Sequence, residues 1–156
     1  MGRLFTKTED SCAVWSTGSA EFYTDFDDKL RKIIVGVQCR IGEIDEAYMA
    51  LLDTGATWSI IGGEMAQDFE GLPVDGPSIT INSRFGDLTG DLKTLNITLV
   101  ANHGDDLLVE STVFISKDWP GPLVLGFHGF LEKLRIALDP GLDQESSQVL
   151  YFGRCE

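Results

Sequence analysis

Apolar and polar residues alternate with period two along much of the chain, and turn-forming residues interrupt the alternation at short intervals. The clearest case runs from Leu92 to Val100, with Leu95, Ile97 and Leu99 on one face and Thr94, Asn96 and Thr98 on the other. Ser78 to Asn82 repeats the pattern. Lys32 to Arg40 and Ala47 to Leu52 read as two strands joined through Gly42 and Asp45 as a hairpin. Leu107 to Ser116, Leu123 to Leu125, Arg135 to Leu138 and Val149 to Phe152 are further strands, and residues 139–148 read as loop. Helical signals are brief. Trp58 to Ile61 leads through Gly62 and Gly63 into Glu64 to Phe69, long enough for a turn or two, and Gly129 to Leu134 is a second short candidate. Many short strands with frequent turns predict an all-β domain, closed or sandwiched, with one or two short helices.

The 156 residues suffice for one such domain and not for two full ones. Seventeen glycines, against about eleven at average usage, fit a turn-rich β architecture. Residues 1–31 are polar and mixed, with Trp15, Phe22, Tyr23 and Phe26 scattered among Ser, Thr and Asp. They read as an N-terminal arm that docks some aromatics on a domain spanning 32–156.

Charge narrows the partners. With 12 Lys and Arg against 25 Asp and Glu, the net charge is −13, so nucleic acid and anionic membrane surfaces are disfavoured. Eight of the acids fall between Ile41 and Ser83, a stretch without Lys or Arg that reads as a solvated acidic face. No apolar run has the length of a membrane span, and MGRLFTKTED lacks the apolar stretch of a signal peptide, so a cytoplasmic protein is expected. Cys12, Cys39 and Cys155 lack metal-ligand spacing and read as thiols of a reducing compartment. Asn96-Ile97-Thr98 fits a glycosylation sequon but reads simply as strand, and Asp87, Asp91, Asp105 and Asp106 read as turn charges.

The sharpest local signal is Leu51-Leu52-Asp53-Thr54-Gly55-Ala56, followed by Trp58-Ser59-Ile60-Ile61. A carboxylate directly after an apolar strand sits where a tight turn and backbone donors can hold it, and Gly55 permits close backbone approach or positive φ. Asp-Thr/Ser-Gly followed by a small residue arises by chance about once in fifty chains of this length, so alone it also fits an Asx turn ending a strand. Some seventy residues on comes Leu123-Val124-Leu125-Gly126, continuing Phe127-His128-Gly129-Phe130-Leu131-Glu132-Lys133-Leu134-Arg135-Ile136-Ala137-Leu138-Asp139.

In this order and spacing the two segments resemble the retropepsin-like aspartic proteases, in which a hydrophobic-hydrophobic-Gly segment packs behind the catalytic loop. The second segment looks like the bacterial single-domain branch, with Leu131 standing where a second aromatic is usual. The resemblance covers about residues 32–153 and implies a retropepsin-like half-barrel that works as a twofold homodimer. Two carboxylates must share a proton around a water, an arrangement for which this enzyme class is the standard illustration. This chain holds one Asp-Thr/Ser-Gly, and Ser16-Thr17-Gly18-Ser19 echoes the motif without the aspartate. A second Asp53 is therefore expected from a second copy across a twofold axis.

The resemblance further implies roles at matching positions. Asp53 is the general acid and base, Thr54 locks the two catalytic loops together, and Gly55 lends its backbone to the carboxylate network. Ala56 supports the loop but lacks the hydroxyl that Ser or Thr would direct at the carboxylate, which implies activity from mildly acidic toward neutral pH. Gly126 braces the loop from behind. A flap is expected over Ile79 to Leu88, with Arg84, Phe85 and Gly86 at its tip facing substrate, and an ordinary exposed hairpin without substrate contact fits the same residues equally. His128, beside the Gly126 loop, reads as a satisfied structural histidine rather than a contact of the dimer interface. The N-terminal arm and Val149–Phe152 are the expected interface edges.

No cofactor or metal is expected, because the nucleophile is activated water. The expected partners are an extended peptide or protein substrate and a second copy of the chain. Phosphate-binding loops, serine-esterase elbows and zinc-protease motifs do not occur. Two rival readings share the fold: a non-catalytic dimerisation or peptide-binding module, and a protease that acts only on a dedicated partner, with residues 1–30 shielding its groove.

Overall fold

The computed structural model describes residues 5–8, 11–27, 32–141 and 148–155. In chain order the strands are β1 (Phe5–Thr8), β2 (Ser11–Val14), β3 (Gly18–Glu21), β4 (Tyr23–Asp27), β5 (Lys32–Ile41), β6 (Tyr48–Leu52) and β7 (Ser59–Gly62). One turn of helix, α1 (Met65–Asp68), precedes β8 (Ile79–Ser83), β9 (Gly86–Leu99), β10 (His103–Gly104), β11 (Leu107–Ser116) and β12 (Val124–Leu125). A 3₁₀ turn at Leu131–Lys133 then leads into β13 (Leu134–Asp139) and β14 (Val149–Arg154). The protein is all-β. Among the described residues no helix is long and apolar enough to cross a membrane.

Alternation translates directly into burial, because successive strand side chains point to opposite faces. Strand β5 sends Val37, Cys39 and Ile41 inward, β9 sends Leu95, Ile97 and Leu99, and β11 sends Leu107, Val109, Val113 and Ile115. They meet Leu125, Phe130, Leu150 and Phe152 in one main core. Pairing runs β4-β5-β6-β12-β7-β11-β9-β8, and β9 also pairs with β5 through Cys39–Leu99, Arg40–Thr98 and Ile41–Ile97. That last ladder closes β5, β6, β12, β7, β11 and β9 into a ring, leaving no open edge along those six strands where they pair. A four-stranded antiparallel sheet, β10-β3-β14-β13, packs Ala20, Leu150 and Phe152 into the same core.

One inward position of β9 is a lysine. Lys93 is 5 % exposed, and its ammonium donates to the carbonyls of Phe69 at 2.7 Å and Glu70 at 3.0 Å. The Phe69 carbonyl also accepts the Leu72 N–H at 3.2 Å, and the two carbonyls just past the helical turn give the buried ammonium the partners it needs.

Several sequence expectations change here. Reading residues 1–31 as a lead-in arm omits four strands, two of which are built into the sheets: β3 pairs with β14 and β10, and β4 pairs with β5. Phe22 is buried, Trp15 half-buried and Tyr23 exposed, while the side chain of Phe26 lies outside the described residues. Strand β14 is not an interface edge. It lies between β3 and β13 with ladders on both sides, so its backbone has no free edge over those ladders to offer a partner. The strand expected from Leu92 begins at Gly86, because the same strand continues outward as the second arm of a hairpin with β8. Residues 142–147 of the expected loop lie outside the described residues.

Candidate active site

Asp53 is placed by a crossing of three strands. β6 runs parallel to β12 (Val124–Leu51, Leu125–Leu52), and β12 in turn pairs antiparallel with β7 through Val124–Ile60. The loop carrying Asp53-Thr54-Gly55-Ala56 connects β6 to β7 and so must pass over the end of β12. Its first residue is tied down there, with the Asp53 N–H donating to the Leu125 carbonyl at 3.0 Å. The loop then folds on itself. The Gly55 N–H donates to Asp53 Oδ1 at 2.9 Å, and the Ala56 N–H donates to the Asp53 carbonyl at 3.2 Å.

The segment after β12 braces the loop from behind. The Phe127 N–H donates to the Ala56 carbonyl and the His128 N–H to the Thr57 carbonyl, both at 2.8 Å. Gly126 is the pivot. A Cβ there would stand 2.3 Å from the carbonyl carbon and oxygen of Trp58, so only glycine lets the two backbones lie this close. Its N–H donates to Ser59 Oγ at 2.9 Å, and Ser59 is fully buried. Gly55 serves close approach rather than positive φ: it is absent from the left-handed glycines, and a Cβ would sit 3.2 Å from Asp53 Oδ1.

Next to the brace, Glu132 Oε1 accepts the Gly129 N–H at 2.6 Å, and its Oε2 lies 3.4 Å from His128 Nδ1. The Gly129 amide, helped by His128 and Lys133 and opposed by desolvation, holds the Glu132 carboxyl below the usual range. His128 is an exposed side chain with this one carboxylate partner among the described residues, and it stacks obliquely on Trp58 with ring centroids 5.5 Å apart.

Asp53 is half-buried, Thr54 and Gly55 are exposed, and the Asp53 carboxylate opens into a groove of about 940 Å³. Its floor includes Leu51, Ile60, Trp119 and Val124, from a second apolar cluster that also holds Phe114. The β8–β9 hairpin contributes residues 79–84 to the same lining. The hairpin closes with Ser83 opposite Gly86, so Arg84 and Phe85 form the tip. Ser83 Oγ accepts the Phe85 N–H at 3.1 Å and donates to the Gly86 carbonyl at 2.9 Å, and Gly86 leaves the turn at φ +99°. Phe85 sets its ring edge against Trp119, centroids 5.3 Å apart, and the Arg84 guanidinium stands 4.8 Å over the Phe85 ring.

Asp53, Gly55, Ala56 and Arg84 thus line one groove, with Gly126 beneath the loop and Phe85 on Trp119 at the hairpin tip. Two participants escaped the sequence reading. Ser59 is the polar member of the apolar run Trp58 to Ile61, and a lone hydroxyl in such a run was the signal for a buried hydrogen-bond partner. Trp119 lies in a Gly- and Pro-containing loop whose packing no periodicity reveals. Among the described residues no group of three or more His, Cys, Asp and Glu could hold a metal ion. No protein-family model matches the chain, and no curated protein matches it.

Proposed function

We propose that this chain is an aspartic endopeptidase of the retropepsin-like kind, hydrolysing peptide bonds with water activated between the Asp53 carboxylates of two copies. The observation that carries the reading is the seating of Asp53. A carboxylate on a tight, doubly braced loop accepts the Gly55 N–H, and Asp53 lines a groove together with the β8–β9 hairpin. General acid–base work on an amide needs such a fixed carboxylate within reach of an extended chain.

Twofold symmetry supplies the missing partner. Among the described residues Asp53 is the one acid lining the groove, and a lone carboxylate cannot act as base toward water and acid toward the scissile carbonyl in the same step. Two Asp53 carboxylates at a twofold axis share one proton, so one polarises the water while the other protonates the scissile carbonyl. The roles then reverse as the amine departs. Thr54 is exposed in the single chain, and in the proposed dimer its hydroxyl links the two loops. Gly55 and Ala56 shape the carboxylate's turn, Gly126 fixes its height, and the hairpin tip at Arg84, Phe85 and Gly86 closes over bound peptide. Water and the protein's own groups complete the reaction without a cofactor.

The test is mass-spectrometric profiling of a diverse peptide library between about pH 4 and 7.5, wild type beside Asp53→Asn. Cleavage by wild type alone, with a dimer in sedimentation, supports the reading. Equal products from both proteins, an active strict monomer, or absence of cleavage with either protein refutes it, the last favouring a peptide-binding module or a protease that needs a dedicated partner.

A further inference from the structure

We propose that Arg84 makes the groove selective for peptides that carry an acidic side chain on each flank of an apolar cleavage site. This inference rests on reading the groove as a peptide-cleavage site, and it concerns what the groove accepts. The lining is mostly apolar, from Met49, Leu51, Trp58, Ile79, Ile81 and Trp119. Among the described lining residues Asp53 is the one acid and Arg84 the one base. An apolar segment would fill the middle of such a groove, and the charge at the hairpin tip would read what lies beyond it.

Arg84 is available for that contact. It is exposed, and among the described residues no carboxylate pairs with it. The nearest acid along the hairpin, Asp87, is engaged across the ladder by Asn82 Nδ2 at 2.7 Å. The guanidinium is also oriented in advance. It stacks over Phe85, which is itself set edge-on against the buried Trp119. A side chain held in this way loses less conformational freedom when a carboxylate docks on its planar fork of donors.

The rest of the chain sharpens the argument. With a net charge of −13 and no base from Ile41 to Ser83, the protein repels polyanionic peptides at long range. A single cation at the groove then selects one acid at its own position rather than acidity in general. Twofold symmetry doubles it. Two copies place their Arg84 residues at equal distances from the axis, so the preference falls at equal distances on both sides of the scissile bond.

The experiment compares cleavage profiles of wild type, R84Q, R84K and R84E, using peptide pairs that differ only in Glu, Gln or Lys at the flanking positions. In wild type the kcat/KM ratio of Glu over Gln peptides is expected at about fivefold, the scale of a solvent-accessible ion pair. That ratio should fall to about one in R84Q, persist in R84K and invert toward Lys peptides in R84E. The same pairs are measured for binding by fluorescence anisotropy on Asp53→Asn, alone and with R84E. A Glu/Gln ratio that is the same in wild type and R84Q, or depletion of acids at the flanks, overturns the inference while leaving the protease reading intact. If nothing is cleaved, the protease reading fails by itself. Binding then decides the inference: preference for Glu peptides that R84E reverses upholds it, and equal binding, or none, overturns it.

Discussion

Replacing Gly126 by alanine is the most direct probe of how the Asp53 loop is held. The added methyl would stand 2.3 Å from the Trp58 carbonyl carbon and oxygen and 2.7 Å from the Ser59 nitrogen, where ordinary contact begins at 3.4 Å. The deficit of about 1.1 Å is against backbone, so no side chain can rotate away, and β12 and β7 must part. Separation also stretches the 2.9 Å bond from the Gly126 N–H to buried Ser59 Oγ. Overpacking costs about 1–3 kcal/mol, and rigid neighbours put this site at the upper end, about 3 kcal/mol. For a chain of this size that is a drop of roughly 6–12 °C in Tm. Because the Asp53 N–H hangs on the Leu125 carbonyl, the carboxylate shifts with the strand. Under the proposed function, a misplacement near 1 Å lowers kcat/KM about a hundredfold. Gly71→Ala is the control, since a Cβ there meets nothing within 4 Å and its φ is not left-handed. It should leave stability unchanged or raise it by about 0.4–1 kcal/mol. Urea unfolding followed by tryptophan fluorescence, at equal protomer concentration, measures both variants. A Gly126→Ala protein within about 0.5 kcal/mol of wild type would refute the packing argument.

Two further outcomes follow from titratable groups. Burial pushes the Cys39 thiol up to about 12, so at pH 8 it stays protonated and shielded while the exposed Cys155 reacts. Peptide mapping after maleimide treatment should find Cys155 modified in the native protein and Cys39 only after denaturation; comparable rates at the two sites would contradict the burial. Glu132 is held below its ordinary value of 4.5, chiefly by the Gly129 amide, so its stabilising effect is complete above that value and fades as pH falls through the lower folded-state value. Glu132→Gln should therefore unfold at lower temperature than wild type near neutral pH, with the gap closing as pH falls below that ordinary value. A gap independent of pH would show that the carboxylate's charge is not what the Gly129 turn uses.

Much of this protein is written in local pattern. Period-two alternation is a property of strand geometry, so Leu95, Ile97 and Leu99 announced an inward face before any partner strand was known. The hairpin over β8 and the start of β9 was legible for the same reason, with Gly86 as its punctuation. The candidate site was legible as two motifs, an acid after one apolar strand and a glycine after another, because both lie within a few residues of a strand end. Gly55 could be read as a glycine with a purpose, but which purpose depended on Asp53 Oδ1 lying within 3.2 Å of the missing Cβ.

What the sequence determined alone is therefore the all-β class, the strand faces and the neighbourhood of Asp53. The tertiary structure decided what depends on residues far apart meeting. The short β3 and β4 carry weak alternation, and only their partners β14 and β5 make them strands. β14 looks like any terminal strand until β3 and β13 occupy both of its edges. Lys93 sits on an apolar face because two carbonyls from another segment wait for its ammonium. The Phe85–Trp119 contact and the Ser59–Gly126 hydrogen bond join segments tens of residues apart. Local periodicity records how a strand divides its faces. It holds no record of which distant backbone or side chain will complete them, and that completion is what seats the Asp53 loop.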